Sequence, residues 1–230
     1  MASTPRLSRV PRPPRPSRIA VVGLGRFGSS LALELARNDY EVLGVDTDQR
    51  IVQRYADQLT HTAGADSTDP EAMRQLGVPD FPLAVVGIGT NLEASILTTA
   101  VLVDFEIPAI WAKATSREQG RILQRIGAHH VVLPEYEMGE RVAHLVTGRM
   151  LDFIEFEDDY ALVKTRAPAE AVDRPLGETG LRRKYGATVV AVKRPGEGFT
   201  YATPDTVVHA GDVLILAGRT ADVERVANLT

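Results

Sequence analysis

Residues 18–28 read Arg18-Ile-Ala-Val-Val-Gly-Leu-Gly-Arg-Phe-Gly28, an apolar strand pattern that runs into a G-x-G-x-x-G turn. In such a turn Gly23 permits the tight bend, Gly25 lets the backbone approach a phosphate, and Gly28 lets the helix pack closely on the strand. The next apolar run ends at Asp46, where a carboxylate can accept hydrogen bonds from both ribose hydroxyls. The stretch therefore predicts a nucleotide held by its phosphates at the start of a helix.

Arg26 is the unusual residue of this turn, because it places a fixed cation inside the phosphate loop. One interpretation is a solvated surface charge. The other is a guanidinium that strengthens phosphate binding through charge-assisted hydrogen bonds and suits an extra terminal phosphate, as in ATP. Lys113 is a second candidate cation, since it lies near the end of the predicted fifth strand, and a lysine within an apolar run requires a partner.

Two further loops at the same sheet edge carry candidate ligand contacts. Asp66 follows the predicted third strand, where an adenine edge usually lies; its alternative role is to form a turn with the Ser-Thr that follows. Thr90 and Asn91 follow the fourth strand and either cap the next helix or contact the ligand. The residues predicted to bind the nucleotide are Gly23, Gly25, Arg26, Phe27, Gly28, Asp46, Thr47, Asp66, Ser67, Gly89, Thr90, Asn91 and Lys113.

Short apolar runs alternate with helical periodicity from residue 18 to residue 147. This pattern predicts an α/β fold with a Rossmann-like, doubly wound parallel sheet of six strands. Strands are expected at residues 19–24, 41–46, 60–65, 83–88, 109–114 and 129–133. The pattern then changes to a small α+β unit of about 75 residues, marginal as a lone core and so expected to dimerise. In it, residues 175–185 are predicted to form one short helix.

Three parts are expected along the chain: a disordered Arg/Pro-rich tail (1–17), a nucleotide-binding domain (18–150) and a ligand-binding or dimerisation domain (151–230). Residues 1–18 hold five arginines, five prolines and no acidic residue, which leaves 21 basic against 30 acidic residues in the remainder. The tail is interpreted as a disordered leader or as a segment that touches anionic lipid or an acidic partner. The acidic remainder argues against nucleic acid as a partner.

The absence of cysteine excludes disulfides, thiolate metal sites and a cysteine nucleophile, and it fits a reducing cytoplasm. No apolar run approaches the ~20 residues of a membrane span. The five histidines form no evident acid/base constellation, so no catalytic residues are predicted and the chain is not expected to be an enzyme. The alternative from another functional class is an NAD-dependent oxidoreductase with a small second domain.

Several segments together resemble the RCK (regulator of K+ conductance) family, in particular the soluble KtrA/TrkA-type subunits of bacterial potassium transporters. The resemblance covers roughly residues 18–228. The segments that carry it are Val22-Gly-Leu-Gly-Arg-Phe-Gly28, Glu41-Val-Leu-Gly-Val-Asp46, Ala94-Ser-Ile-Leu-Thr-Thr99, Ile107-Pro-Ala-Ile-Trp-Ala-Lys-Ala114, Ile126-Gly-Ala128, Pro134-Glu135 with Met138-Gly139, and Lys184-Tyr-Gly186.

The resemblance implies a regulatory role: a homodimer that assembles into an octameric ring under a membrane-embedded KtrB/TrkH-type transporter subunit. Such a protein is cytoplasmic and peripherally associated with the inner face of the membrane. ATP, which activates, and ADP, which inactivates, would bind the N-terminal RCK domain, with NAD or NADH as the alternative ligand. Regulation of another cation channel or antiporter is the alternative within the family.

By the same resemblance, Asp46 would bind ribose, Arg26 the terminal phosphate of its own or a neighbouring subunit's nucleotide, and Lys113 a further phosphate oxygen. Glu135 would bind a cation (Mg, Ca or Na); its alternative role is that of a carboxylate at a helix N-terminus. The C-terminal RCK domain would bind cyclic di-AMP at a dimer interface. Candidates for that site are Leu176, Leu181, Arg182, Val189, Val190 and Pro204, of which Leu181 and Val190 could equally be core residues.

Overall fold

Six apolar runs of the N-terminal part form one parallel sheet with the order β3-β2-β1-β4-β5-β6 in the computed structural model of the chain. The strands are β1 (Arg18–Val22), β2 (Glu41–Asp46), β3 (His61–Gly64), β4 (Leu83–Val86), β5 (Ala109–Lys113) and β6 (His130–Val132). Each pairs in parallel with its neighbour, which confirms the predicted Rossmann-like sheet.

Helices follow the strands because the apolar periodicity changes from two to 3.6 residues after each turn. They are α1 (Arg26–Arg37), α2 (Gln49–Tyr55), α3 (Pro70–Gln75), α4 (Leu92–Asp104), α5 (Arg117–Ile126) and α6 (Pro134–Val146). Alternate residues of one strand enter different cores: Ile19 and Val21 pack on one face of the sheet, Ala20 and Val22 on the other. Both faces are therefore covered, as in doubly wound folds.

The strand order reverses between β1 and β4, so the loops after these two strands lead to opposite sides of the sheet. Helix α1 begins directly after Gly25, and helix α4 begins after Asn91. The crevice between these two helix starts lies at the carboxyl ends of the strands, where open α/β sheets bind their ligands.

The C-terminal unit is an antiparallel sheet with the order β11-β10-β13-β8-β7, accompanied by a two-stranded β12-β9 sheet. Its elements are β7 (Asp152–Phe156), β8 (Tyr160–Arg166), β9 (Arg174–Pro175), α7 (Leu176–Thr179), α8 (Leu181–Tyr185), β10 (Thr188–Lys193), β11 (Phe199–Tyr201), β12 (Val207–Val208), β13 (Val213–Arg219) and α9 (Thr220–Ala227). Its own core includes Val163, Leu214, Leu216 and Val223.

The prediction of one helix over residues 175–185 is wrong. Pro175 belongs to a strand, and Gly180, at φ +68°, separates α7 from α8 because the left-handed conformation ends a helix. Strands β7, β11 and β12 were not predicted as strands. Two of them have only two or three residues, too few for a period-two pattern to emerge.

The structure describes residues 18–146, 150–156 and 158–229. The predicted disordered tail (1–17) lies outside the described residues. The contacts divide the chain into two compact units after Glu135, whereas the sequence placed the domain boundary after residue 150. Residues 136–146 of helix α6 thus belong to the second unit, in which Arg141 contacts Asp152 and His144 contacts Glu224. Within the described residues, no helix is long and apolar enough to cross a membrane.

Candidate nucleotide-binding site

A cavity of about 560 Å³ lies at the carboxyl ends of the parallel strands, within the size range of small-molecule sites. All the residues predicted to bind the nucleotide line this cavity, except Gly28. The sequence reasoning did not single out several other lining residues. These are Val22, Val45, Ile51, Ala65, Thr68, Gly87, Ile88, Glu93, Ala94 and Leu97.

The glycine turn is held in place by its backbone. Gly23 adopts φ +88°, a conformation that favours glycine, and its N–H donates to the Val45 carbonyl at 2.7 Å. A Cβ on Gly28 would lie 1.8 Å from the Gly23 carbonyl oxygen, so only glycine allows helix α1 to pack this closely on the turn. A Cβ on Gly25 would meet nothing within 4 Å, so the space above Gly25 is open for a ligand.

Asp46 has two roles in this geometry. Its Oδ2 accepts a hydrogen bond from the Leu24 N–H at 2.8 Å, and its Oδ1 accepts one from the Asp48 N–H at 2.9 Å. Each carboxylate oxygen has two lone pairs, so both oxygens retain capacity for ribose hydroxyls. Asp46 therefore fixes the glycine turn as well as facing the cavity.

The two predicted cations occupy different environments. Arg26 is exposed at the first position of helix α1. Lys113 is buried, with its Nζ 2.6 Å from Glu135 Oε1 and 5.7 Å from the centroid of the Phe27 ring. The hydrogen bond from Lys113 lowers the pKa of Glu135, and the Arg26 charge lowers it further. This cluster of charges can bind an anion beside the phosphate loop.

The polar residues on the remaining walls are partly engaged within the protein. Asp66 Oδ1 accepts hydrogen bonds from the N–H and hydroxyl of Thr68, which lower the pKa of Asp66 and form the turn that was one of its two predicted roles. The Ser67 hydroxyl contacts the Thr98 hydroxyl at 2.7 Å. Asn91 caps helix α4 by accepting from the Ala94 N–H, the capping role that was one of its two predicted roles.

The lining residues that were missed share a positional signal. Val22, Val45 and Ala65 lie at or just after carboxyl ends of strands, and Glu93 and Leu97 lie in the first turns of the helix that follows β4. Positions of this kind face the crevice of any doubly wound sheet. They were overlooked because their side chains carry no chemistry of their own or, for Glu93, because a charge in a first helical turn is common.

Glu135 pairs with Lys113, and the described residues contain no group of three or more His, Asp or Glu side chains that could hold a metal ion. The cation predicted at Glu135 thus remains a prediction.

The residues predicted for cyclic di-AMP lie close together in part. The Gly177 N–H donates to the Pro204 carbonyl at 2.8 Å, which brings Pro204 beside helix α7 and its first residue, Leu176. Leu181 is 3% exposed and belongs to the core, the alternative that the sequence left open. Arg182 and Val190 are exposed, and Val189 packs partly against the core.

Comparison with known proteins identifies both units. A family model for the TrkA-N domain matches residues 19–134, and one for the TrkA-C domain matches residues 161–230. The Ktr system potassium uptake protein A of Bacillus subtilis is 34% identical over 92% of this chain and 96% of its own length. The Ktr system potassium uptake protein C of the same organism is 37% identical over 90% of this chain and 94% of its own length.

Solved structures show the same fold. The GsuK RCK domain has a TM-score of 0.64 at 17% identity, over 95% of this chain and 48% of its own. The GsuK channel bound to NAD has a TM-score of 0.63 at 17% identity, over 97% and 42%. The chain thus spans about half of these solved chains or less. The chain belongs to the family of proteins with a TrkA-N and a TrkA-C domain, and its relatives include the Ktr system potassium uptake proteins A and C.

Proposed function

We propose that this chain is a nucleotide-sensing regulatory subunit of a potassium uptake system. The observation that carries the proposal is the cavity beside β1 and β4, which combines the open glycine turn, the carboxylate of Asp46 and the two cations Arg26 and Lys113. Its relatives along nearly the full length are named as potassium uptake proteins. The proposed role is regulatory rather than catalytic, and it is supported by that kinship together with the sequence, in which the histidines form no evident acid/base constellation.

The proposed ligands are ATP and ADP, with ATP favouring the active state and ADP the inactive one. A ligand shifts a conformational equilibrium only by binding one state more tightly than the other. Arg26 supplies that difference if its exposed guanidinium reaches the terminal phosphate in one assembly state and not in the other. NAD or NADH is the alternative ligand, and it is supported by the fold shared with the GsuK channel bound to NAD.

The test is calorimetric titration of the full chain with ATP, ADP, NAD+ and NADH. We expect ATP and ADP to bind with different affinities, and Arg26→Ala to narrow the ratio of these affinities by up to about fivefold, as expected for loss of one exposed ion pair. A urea unfolding curve equal to that of the wild type would show that the variant folds. Equal affinities of the wild type for ATP and ADP would refute nucleotide sensing by phosphate count, and preferential binding of NADH would favour the alternative.

The proposed assembly is a homodimer that forms an octameric ring on a membrane-embedded KtrB/TrkH-type subunit, at the cytoplasmic face of the membrane. Cyclic di-AMP is the proposed inhibitory ligand of the C-terminal unit, with Leu176, Arg182, Val190 and Pro204 as its contacts. The same calorimeter tests this ligand on the full chain, and an absence of heat at high concentration of cyclic di-AMP would refute the second site.

A further inference from the structure

The ion pair between Lys113 and Glu135 is unequal in its exposure to water. The Lys113 side chain is 9% exposed, whereas the Glu135 side chain is 61% exposed. A buried ammonium without an anionic partner carries a large desolvation penalty, but an exposed carboxylate that loses its partner is rehydrated. Glu135 can therefore leave the pair at small cost, provided that another anion takes its place at Lys113.

The position of the Lys113 ammonium shows where that other anion would come from. A Cβ on Gly89 would lie 3.1 Å from Lys113 Nζ, so the ammonium lies against the loop that follows β4. The centroid of the Phe27 ring, in the first turn of helix α1, is 5.7 Å from the same ammonium. The ammonium thus lies near both loops that form the phosphate side of the cavity, and a phosphate bound at the start of α1 is close to it.

We infer that Glu135 is a specificity-determining residue of the nucleotide site, which holds Lys113 in the absence of ligand and exchanges it for a nucleotide phosphate. The inference rests on the proposed nucleotide-binding function. Because Glu135 competes with the ligand for one ammonium, it weakens every nucleotide whose phosphate reaches Lys113 and leaves the uncharged nucleoside unaffected. The carboxylate therefore decreases the preference of the site for a nucleotide over the uncharged nucleoside. The released Glu135 lies in the first turn of helix α6, so phosphate binding also changes the contacts at the start of that helix.

The test compares Glu135→Gln with Glu140→Gln, the same substitution elsewhere on helix α6. Titrations use ATP, ADP and adenosine at physiological salt. We expect Glu135→Gln to bind ATP and ADP about threefold to tenfold more tightly than the wild type, as for release of a half-exposed ion pair. Adenosine affinity should be unchanged, and Glu140→Gln should match the wild type for all three. Wild-type affinities in Glu135→Gln, or an equal gain for adenosine, would overturn the inference.

A second comparison separates partner exchange from simple repulsion between Glu135 and phosphate. Under partner exchange, adding Glu135→Gln to Lys113→Met raises the affinity for ATP and ADP by less than about twofold, because no ion pair remains to be broken. Repulsion alone predicts that Glu135→Gln raises these affinities in Lys113→Met at least as much as in the wild type, since the ammonium that offsets the carboxylate charge is gone. If Lys113→Met does not fold, a structure of the wild type with ADP decides instead. Loss of the 2.6 Å contact would support the exchange, and its retention would overturn it. A wild type that binds no nucleotide would refute the proposed function itself.

Discussion

Gly28 and Gly25, three residues apart in one motif, predict opposite results on substitution by alanine. A Cβ on Gly28 would lie 1.8 Å from the Gly23 carbonyl oxygen, whereas ordinary contact begins at 3.4 Å. Both atoms are fixed to backbone, so helix α1 and the turn must separate by about 1.6 Å rather than rotate a side chain. Strain of this size is at the upper end of the range for overpacking, about 3 kcal/mol. Gly28→Ala should therefore destabilise the N-terminal unit.

The assay is urea unfolding followed by the fluorescence of Trp111, the single tryptophan of the chain, which lies in β5 of the same unit. With a slope of about 2 kcal/mol per molar urea, Gly28→Ala should lower the midpoint by about 1.5 M. Gly25→Ala should leave the midpoint nearly unchanged, because its methyl group enters open space and its φ of −63° suits alanine.

Nucleotide titration completes the comparison between the two glycines. The methyl group of Gly25→Ala occupies the surface that a phosphate approaches, so we expect ATP and ADP affinities to fall at least about tenfold in a fully folded variant. A wild-type midpoint in Gly28→Ala would refute the packing argument, and wild-type affinities in Gly25→Ala would refute the close approach of phosphate.

Two further predictions concern carboxylates. Asp46→Asn leaves one acceptor oxygen for the N–H groups of Leu24 and Asp48, so one of the two hydrogen bonds that the carboxylate accepts is lost. Calorimetry should therefore show about tenfold weaker binding of ATP, ADP and NAD+. Unchanged affinities would contradict the role of Asp46 in holding the turn. In the C-terminal unit, the hydrogen bond from Arg141 lowers the pKa of Asp152, so the native carboxylate stabilises the fold above the unfolded value of about 3.9, and this contribution is lost as pH falls through the lower native pKa. Because both side chains of the pair are about 40% exposed, its contribution to the free energy of unfolding is below about 1 kcal/mol. Circular dichroism melts at pH 6 and 3.5 should show that acid lowers the stability of Arg141→Met less than that of the wild type. An equal decrease in stability in both proteins would refute the assignment.

The cavity was largely predictable because its determinants are local in sequence. The glycine turn, the strand that precedes it and the carboxylate at the end of β2 follow one another within about 30 residues, in a topology that brings strand ends together. The pairing of Lys113 with Glu135 was not predictable in this way. The two residues are 22 apart, and their contact depends on how β5 and the start of helix α6 meet in space. Asp46 shows the same limit, since its bond to the Leu24 N–H depends on the register of β1 against β2.

The C-terminal unit was harder to predict because its elements are short. Helix α7 has four residues and helix α8 has five, so the apolar period of a single helix spans both of them. Gly180 alone marks the break, and an isolated glycine in a helical pattern is ambiguous. Leu181 was ambiguous for another reason. It was a candidate for a ligand cleft because apolar residues line both clefts and cores, and in the structure it packs in the core.

Under the proposed function, two cations of the same cavity that differ in their exposure to water share the recognition of phosphate. Arg26 lies in water, so its attraction for phosphate is screened by salt and differs little in strength from that of other surface arginines. Lys113 is buried, and its attraction is therefore stronger, but Glu135 already satisfies it. A nucleotide that binds Lys113 therefore gains only the difference between the free energy of the phosphate contact and that of the carboxylate contact it replaces. Under the proposed function, Lys113 thus adds less to nucleotide affinity than its burial alone would give, and the exposed Arg26 is the cation whose contact a change of assembly can make or break.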